Sequence, residues 1–177
     1  MNNMFAVTLL GDSIVARMPK QPGVVKMGFG GLNACKLLKK IRAGQVKIET
    51  SHVIIYLGGN DMGRPEYLAP AAVIGRLQQV HDALRAANPG IQVICQSELA
   101  PRPEVNWRIL NTLITSHFPD VMRVAMYMVR RNGTPRDGML SSKDFIHLAP
   151  KGDAKMMAAV RLYRLRVMPK RDGPGRV

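Results

Sequence analysis

Short runs of apolar residues alternate along the chain with longer segments of helical periodicity. A continuous apolar run predicts a strand that is buried on both faces, and apolar residues three or four positions apart predict an amphipathic helix. The predicted strands cover residues 5–10, 24–27, 52–57, 91–95 and 121–128. The predicted helices cover residues 33–42, 70–87, 104–118 and 151–167, and the predicted loop covers residues 130–143.

The alternation of strands and helices predicts an α/β fold with a five-stranded parallel sheet and helices on both faces. We expect one domain over residues 1–168, because 177 residues fit a single core and no repeat or second boundary is visible. Residues 169–177 combine glycine, proline and basic residues, so we predict a basic, disordered tail there.

Three glycine-containing motifs follow the first three predicted strands, at residues 11–13, 28–31 and 58–61. Because the carboxyl ends of parallel strands meet at one edge of the sheet, we expect these motifs to lie close together. That edge is where α/β proteins of this kind place their functional sites.

One of these segments and one later segment carry residue types used in nucleophilic catalysis. Ser13 follows the first strand, and Asp144 and His147 stand three residues apart before the last helix. An aspartate that orients an imidazole leaves the other ring nitrogen free to take a serine proton. The alternatives are that Ser13 only caps a helix and that residues 144–147 form a solvated loop.

Two other segments supply candidate donors for an oxyanion. Glycines at residues 28–31 allow the backbone to approach a ligand, and the Asn60 side chain carries an amide. The alternative for both segments is a plain turn.

The remaining histidines and the cysteines are predicted to be structural. His52, His81 and His117 stand in no catalytic motif, and Cys35 and Cys95 are expected to be buried thiols. No metal-binding spacing and no nucleotide-binding glycine motif occurs, so we expect neither metal nor cofactor. Two cysteines without a disulfide framework, and no recognisable signal peptide, favour a reducing compartment such as the cytoplasm.

The chain has a formal net charge of +14, and the excess lies at its two ends. Such a surplus favours acidic partners, which include nucleic acid, anionic glycans and lipid headgroups, although a solvated basic surface is the alternative. No apolar run approaches the length that crosses a bilayer, so no transmembrane segment is expected.

The four segments, taken in order, resemble the conserved blocks of the SGNH (GDSL-type) hydrolase family, with Ile14 in place of the leucine of the GDSL name. The resemblance extends over nearly the whole chain and implies a three-layer α/β/α sandwich of the flavodoxin-like kind. It implies Ser13 as nucleophile, His147 as base and Asp144 as the group that orients it. It further implies an oxyanion hole built from the Ser13 and Gly31 N–H groups and the Asn60 amide.

The function expected from this resemblance is hydrolysis of carboxylic esters without a metal or cofactor, with an O-deacetylase or a lipase-like esterase as the options. The alternative from another class is a basic binding module on the same scaffold, with little turnover, that holds nucleic acid, acidic glycan or a membrane surface. A further option is thioester or acyl-transfer chemistry at the same residues. The natural substrate and the oligomeric state stay open.

Overall fold

A five-stranded, wholly parallel sheet forms the centre of the computed structural model, which describes residues 6–63, 66–101, 106–132, 134–144 and 146–167. The strand order is β2-β1-β3-β4-β5. The strands are β1 (Val7–Gly11), β2 (Val24–Gly28), β3 (His52–Tyr56), β4 (Val93–Ser97) and β5 (Val121–Met122). The predicted sheet of five parallel strands is therefore confirmed.

Helices cover both faces of this sheet. They are α1 (Ser13–Arg17), α2 (Ala34–Arg42), α3 (Gly59–Met62), α4 (Pro70–Ala87), α5 (Trp107–His117), α6 (Ala125–Met128) and α7 (Pro150–Val167). Helix α4 packs against both α2 and α5, and the three form one layer. The chain reverses direction along the sheet after β2, so right-handed crossovers place α1 on the opposite face from α2. On that face α7 lies beside the segment after α1, where Arg164 donates to the Pro22 carbonyl.

The central strand β1 brings the predicted site to one edge. All five of its residues are buried, because strands pair with it on both sides and helices cover both faces. Its last residue, Gly11, pairs in register with Gly28 at the end of β2 and with Tyr56 at the end of β3. The three strands therefore end at one level, and the motifs that follow them emerge side by side.

The prediction of a strand over residues 121–128 is largely wrong. Only Val121–Met122 pair with β4, and Ala125–Met128 form the short helix α6. The carboxylate of Glu98 accepts hydrogen bonds from the Val124 and Ala125 N–H groups at 3.0 and 3.1 Å. Since these are the N–H groups that open a helix, a contact distant in sequence overrides the local strand preference.

Smaller differences concern the ends of elements and the cysteines. The fourth strand begins and ends two residues later than predicted. Two residues of the predicted loop at 130–143 form isolated β-bridges with residues outside it, Pro135 with Val129 and Leu140 with Leu148. Cys95 is buried as expected, but Cys35, in the first turn of α2, is only half-buried. Phe5 of the first predicted strand and the predicted tail at 169–177 lie outside the described residues.

Candidate active site

Ser13 is held at the junction between β1 and α1. Asp12 is the N-cap of α1, and its carboxylate accepts a hydrogen bond from the Ile14 N–H at 2.9 Å. Gly11 approaches the β3 backbone so closely that a β-carbon there would lie 2.5 Å from the Tyr56 carbonyl oxygen. This tight junction turns the chain from strand to helix at the sheet edge and leaves Ser13 half-buried.

The segment before α7 folds into a turn that is organised by Asp144. One carboxylate oxygen, Oδ1, accepts from the Ile146 and His147 N–H groups, both at 3.0 Å. The other oxygen, Oδ2, lies 2.6 Å from His147 Nδ1. Asp144 thus shapes the turn and orients the imidazole at the same time.

The imidazole of His147 bridges Asp144 and Ser13. Its Nε2 lies 2.9 Å from Ser13 Oγ, across 134 positions of sequence. Since Nδ1 faces a carboxylate, the hydrogen-bond network assigns the ring proton to Nδ1 and leaves the lone pair of Nε2 toward the serine hydroxyl. The three predicted residues therefore form one continuous hydrogen-bonded chain.

The electrostatics of this chain favour an ionised aspartate. The pKa of the Asp144 carboxyl lies well below its usual value, because the His147 backbone N–H, the His147 imidazole and the Ile146 N–H donate to it. A carboxylate that stays charged stabilises the imidazolium that forms when His147 takes a proton. The His147 side chain is 16% exposed, so the imidazole is sheltered but open to a small molecule.

The loop after β2 passes beside the junction that carries Ser13. The Phe29 N–H donates to the Gly11 carbonyl at 2.9 Å, which extends the β1–β2 contact by one residue. A β-carbon on Gly28 would lie 2.2 Å from the Ala16 backbone nitrogen, so only glycine allows α1 to pack here. Gly31 has a φ of +63°, which favours glycine, and its carbonyl accepts from Lys36 Nζ at 3.0 Å.

Asn60 links the motifs after β1, β2 and β3. It is the second residue of α3, whose N-cap, Gly58, has a φ of +122°. Its amide Nδ2 donates to the Leu32 carbonyl at 2.8 Å and lies 3.5 Å from Asp12 Oδ2. The expected convergence of the three motifs is confirmed, and the role of Asn60 and Gly31 as oxyanion donors stays a prediction.

Three charged residues beside this site were not predicted from the sequence: Asp12, which caps α1, Lys36, which contacts Gly31, and Asp61, which is fully buried. Two signals were available for them. Asp12 and Asp61 each adjoin a predicted site residue, and Lys36 follows Gly31 by five positions at the start of a predicted helix.

The other three histidines make contacts away from Ser13. His52 contacts the Ser51 hydroxyl, His81 the amide oxygen of Gln96, and His117 that of Gln78. These contacts agree with the structural roles predicted for them. Within the described residues, no cluster of three or more histidine, cysteine or acidic side chains could hold a metal ion, and no helix is long and apolar enough to span a membrane.

Several solved structures share this architecture over almost their whole length. A GDSL-like lipase from Bacteroides thetaiotaomicron superposes with a TM-score of 0.75 at 17% identity, covering 92% of this chain and 89% of that one. A carbohydrate esterase of family 3 from Talaromyces cellulolyticus gives 0.68 at 20% identity, with coverages of 92% and 98%. The lipase/acylhydrolase from Enterococcus faecalis gives 0.65 at 18% identity, with coverages of 94% and 98%.

This chain has the GDSL-type hydrolase fold. The resemblance noted in the four sequence motifs is thus confirmed at the level of the three-layer α/β/α architecture. No protein-family model matches the sequence, and no curated protein is significantly similar to it. At identities of 20% or less the fold is shared, whereas the activity has to be argued from this chain's own residues.

Proposed function

We propose that this protein is a serine esterase that hydrolyses carboxylic esters with Ser13 as nucleophile, His147 as base and Asp144 as the orienting group. The observation that carries the proposal is the chain of two hydrogen bonds, 2.6 Å from Asp144 to His147 and 2.9 Å from His147 to Ser13. Both distances lie within the range that proton transfer requires. The solved structures with this fold include proteins named lipases and esterases, which supports the same chemistry.

The first half of the reaction transfers the acyl group to the enzyme. His147 Nε2 takes the Ser13 hydroxyl proton while Oγ forms a bond to the ester carbonyl carbon. The carbonyl electrons move to oxygen, and the N–H groups of Ser13 and Gly31 and the Asn60 amide are the proposed donors for that oxyanion. The carbon–oxygen bond to the alcohol then breaks, and the alcohol leaves with the proton from His147.

The second half returns the enzyme to its starting state. His147 takes a proton from water, and the resulting hydroxide attacks the acyl carbon of the Ser13 ester. The bond between that carbon and Oγ breaks, Ser13 regains a proton from His147, and the carboxylic acid product departs. Every proton is carried by His147, so the scheme needs no metal or cofactor.

The oxyanion assignment rests on how the loops are held. Asn60 Nδ2 donates to the Leu32 carbonyl at 2.8 Å and lies 3.5 Å from Asp12 Oδ2, and these two oxygens fix the plane of the amide beside Ser13. Gly31 lies one residue before Leu32, in the loop to which this amide donates. Preorganised donors of this kind are typically worth 10²–10³ in turnover each, by order of magnitude.

The deciding experiment is hydrolysis of p-nitrophenyl acetate together with labelling by a fluorophosphonate probe. We expect wild type to turn over and to be labelled at Ser13, and Ser13→Ala to lose both. Ser116→Ala is the matched control, because the Ser116 hydroxyl is also hydrogen-bonded but lies on α5. A folded wild type with neither turnover nor labelling would contradict the esterase proposal and would shift support to the binding-module alternative.

A further inference from the structure

The loop that carries Gly31 is anchored at both ends by other strands' motifs. At its start, the Phe29 N–H donates to the Gly11 carbonyl at 2.9 Å. At its end, the Leu32 carbonyl accepts from Asn60 Nδ2 at 2.8 Å. The glycine between these anchors has a φ of +63° and no side chain of its own, so anchors in its neighbours have to define its position.

One further anchor lies just beyond the loop, and it belongs to Asp61. Both carboxylate oxygens of Asp61 accept from the Ala34 N–H, at 3.0 and 3.2 Å. This N–H opens helix α2, and it would otherwise lack a partner within the helix. Asn33 serves the same helix end differently, because its side chain accepts from the Lys36 N–H at 2.9 Å. Asp61 is thus a cap supplied from another element of the fold.

The Asp61 side chain is fully buried, and two charged groups face it. The nearest nitrogen of Arg76, on α4, lies 4.0 Å from Asp61 Oδ1 and 3.6 Å from a carboxylate oxygen of Glu66. The other Glu66 oxygen accepts from the Asn33 amide at 3.3 Å. This Asp61 cluster, made of Asn33, Asp61, Glu66 and Arg76, therefore encloses the start of α2 and joins it to α3 and α4.

We infer that Asp61 is the positioning residue of the oxyanion site, holding the Gly31 loop in place through the first N–H of α2. The inference rests on the proposed esterase function. It gives adjacent residues of one motif separate tasks: Asn60 holds Leu32 and faces the oxyanion, and Asp61 holds Ala34. Asp61 itself touches neither Ser13 nor His147 in the described hydrogen bonds.

The charge of Asp61 is sensitive to pH in the working range of an esterase. Burial raises its pKa to about 6, and the nearby Glu66 adds to the rise, whereas the Ala34 N–H and Arg76 oppose it. Above this pKa the carboxylate attracts the positive end of α2, and below it the neutral carboxyl holds the helix less strongly. An asparagine resembles the neutral carboxyl in shape and in hydrogen bonding.

The test compares Asp61→Asn and Asp61→Ala with a control of matched construction. Glu98 is likewise a buried carboxylate that caps a helix start and pairs with an arginine, but it accepts the Val124 and Ala125 N–H groups and so holds α6. For p-nitrophenyl acetate at about pH 8, we expect kcat to fall about fivefold to tenfold in Asp61→Asn and about 100-fold in Asp61→Ala. KM should change less than about twofold, because the oxyanion forms only after binding. Glu98→Gln should keep the wild-type kcat.

A pH profile separates positioning from a general loss of stability. The ratio of wild-type to Asp61→Asn kcat should approach one as the pH falls from about 8 to about 5, because the wild-type carboxyl then becomes neutral as well. A ratio that stays constant with pH, or an Asp61→Ala variant with wild-type kcat, would overturn the inference.

Hydrogen exchange of residues 28–38 gives a readout that does not need turnover. We expect the amides of these residues to exchange faster in Asp61→Ala than in wild type and to exchange at the wild-type rate in Glu98→Gln. If Asp61→Ala does not fold, Asp61→Asn is measured in its place, and we expect faster exchange there as well. A wild type without turnover would contradict the proposed esterase function, and exchange would then decide the positioning alone. Faster exchange in the Asp61 variants would support it, and unchanged exchange would overturn it.

Discussion

The exchange of Asp144 for asparagine tests the proposed chemistry with a minimal change of shape. In the native turn Oδ1 accepts from the Ile146 and His147 N–H groups, and the asparagine carbonyl can keep both bonds. Oδ2, which lies 2.6 Å from His147 Nδ1, is then replaced by an amide NH₂ group. Because that group donates, it requires an unprotonated Nδ1 and moves the imidazole proton to Nε2.

The moved proton removes the base. With a hydrogen on Nε2, the nitrogen 2.9 Å from Ser13 Oγ donates to the hydroxyl and can no longer accept its proton. Loss of the correct tautomer in a serine hydrolase costs about 10⁴ in kcat. Asp144 is one-third exposed, so water can partly substitute for it, and we expect a fall of about 10³–10⁴. At 1.36 kcal/mol per tenfold, this is about 4–5.5 kcal/mol of activation free energy.

The assay is steady-state hydrolysis of p-nitrophenyl acetate by Asp144→Asn, with circular dichroism and Tm to verify the fold. Asp137→Asn is the matched control. Asp137 lies in the same segment before α7 and pairs with Arg130, and its own side chain is 92% exposed. The control should keep wild-type activity. A folded Asp144→Asn protein within tenfold of wild-type kcat would refute the assigned role of the carboxylate.

The remaining predictions concern stability and substrate charge. Burial lowers the pKa of His81 from 6.5 to about 4, so as the pH falls the unfolded chain binds a proton at this residue before the folded chain does. The contribution of His81 to the free energy of unfolding should therefore be fully present above about pH 6.5 and decrease by on the order of 3 kcal/mol towards pH 4. Urea unfolding should show this loss in wild type and a smaller one in His81→Gln, and equal losses would contradict the assignment. Gly28→Ala places a β-carbon 2.2 Å from the α1 backbone and should lower the free energy of unfolding by about 3 kcal/mol or more. In Gly75→Ala, on α4, the added β-carbon meets nothing within 4 Å, and the free energy of unfolding should rise by about 0.5–1 kcal/mol. Urea unfolding that ranks Gly28→Ala as the more stable of the two variants would refute the packing argument. The Lys36 ammonium lies beside Gly31 and should favour esters that carry a carboxylate, so Lys36→Gln should raise KM several-fold for mono-p-nitrophenyl glutarate but not for p-nitrophenyl acetate. The control Lys47→Gln, at a residue before the amino end of β3, should change neither KM. Equal changes of KM for both esters in Lys36→Gln would exclude recognition of the carboxylate charge.

Much of the architecture follows from local pattern. The central strands are continuous apolar runs, and such runs can be satisfied only when neighbours pair on both sides and helices cover both faces. Helices α2, α4 and α7 begin within one residue of their predicted starts, because their apolar stripes and end signals lie within the segments themselves. The motifs after β1, β2 and β3 were assigned to one edge for the same reason, since parallel strands have a common direction.

Local pattern fails where a distant residue determines the backbone. The segment after β5 has strand-like composition, yet Glu98, 26 positions away, caps it as a helix. The buried position of Asp61 against Ala34 is equally invisible in a linear pattern, because a helix cap normally comes from the residue that precedes the helix. In both cases the deciding energy is that of a buried carboxylate that needs N–H donors, and only the folded chain supplies them.

In the candidate site too, some features follow from the sequence and others only from the tertiary structure. Sequence by itself determined which residue types were available, namely a serine after β1, an asparagine after β3 and an aspartate three residues before a histidine. Only the tertiary structure decided how these groups meet. His147 Nε2 lies 2.9 Å from Ser13 Oγ, the Asn60 amide donates to the Leu32 carbonyl, and Asp61 accepts from the first N–H of α2. Residue type follows from the chain alone, but a hydrogen bond requires both partners to be in place within a few tenths of an ångström, and that placement arises only when the sheet and its two helical layers pack together.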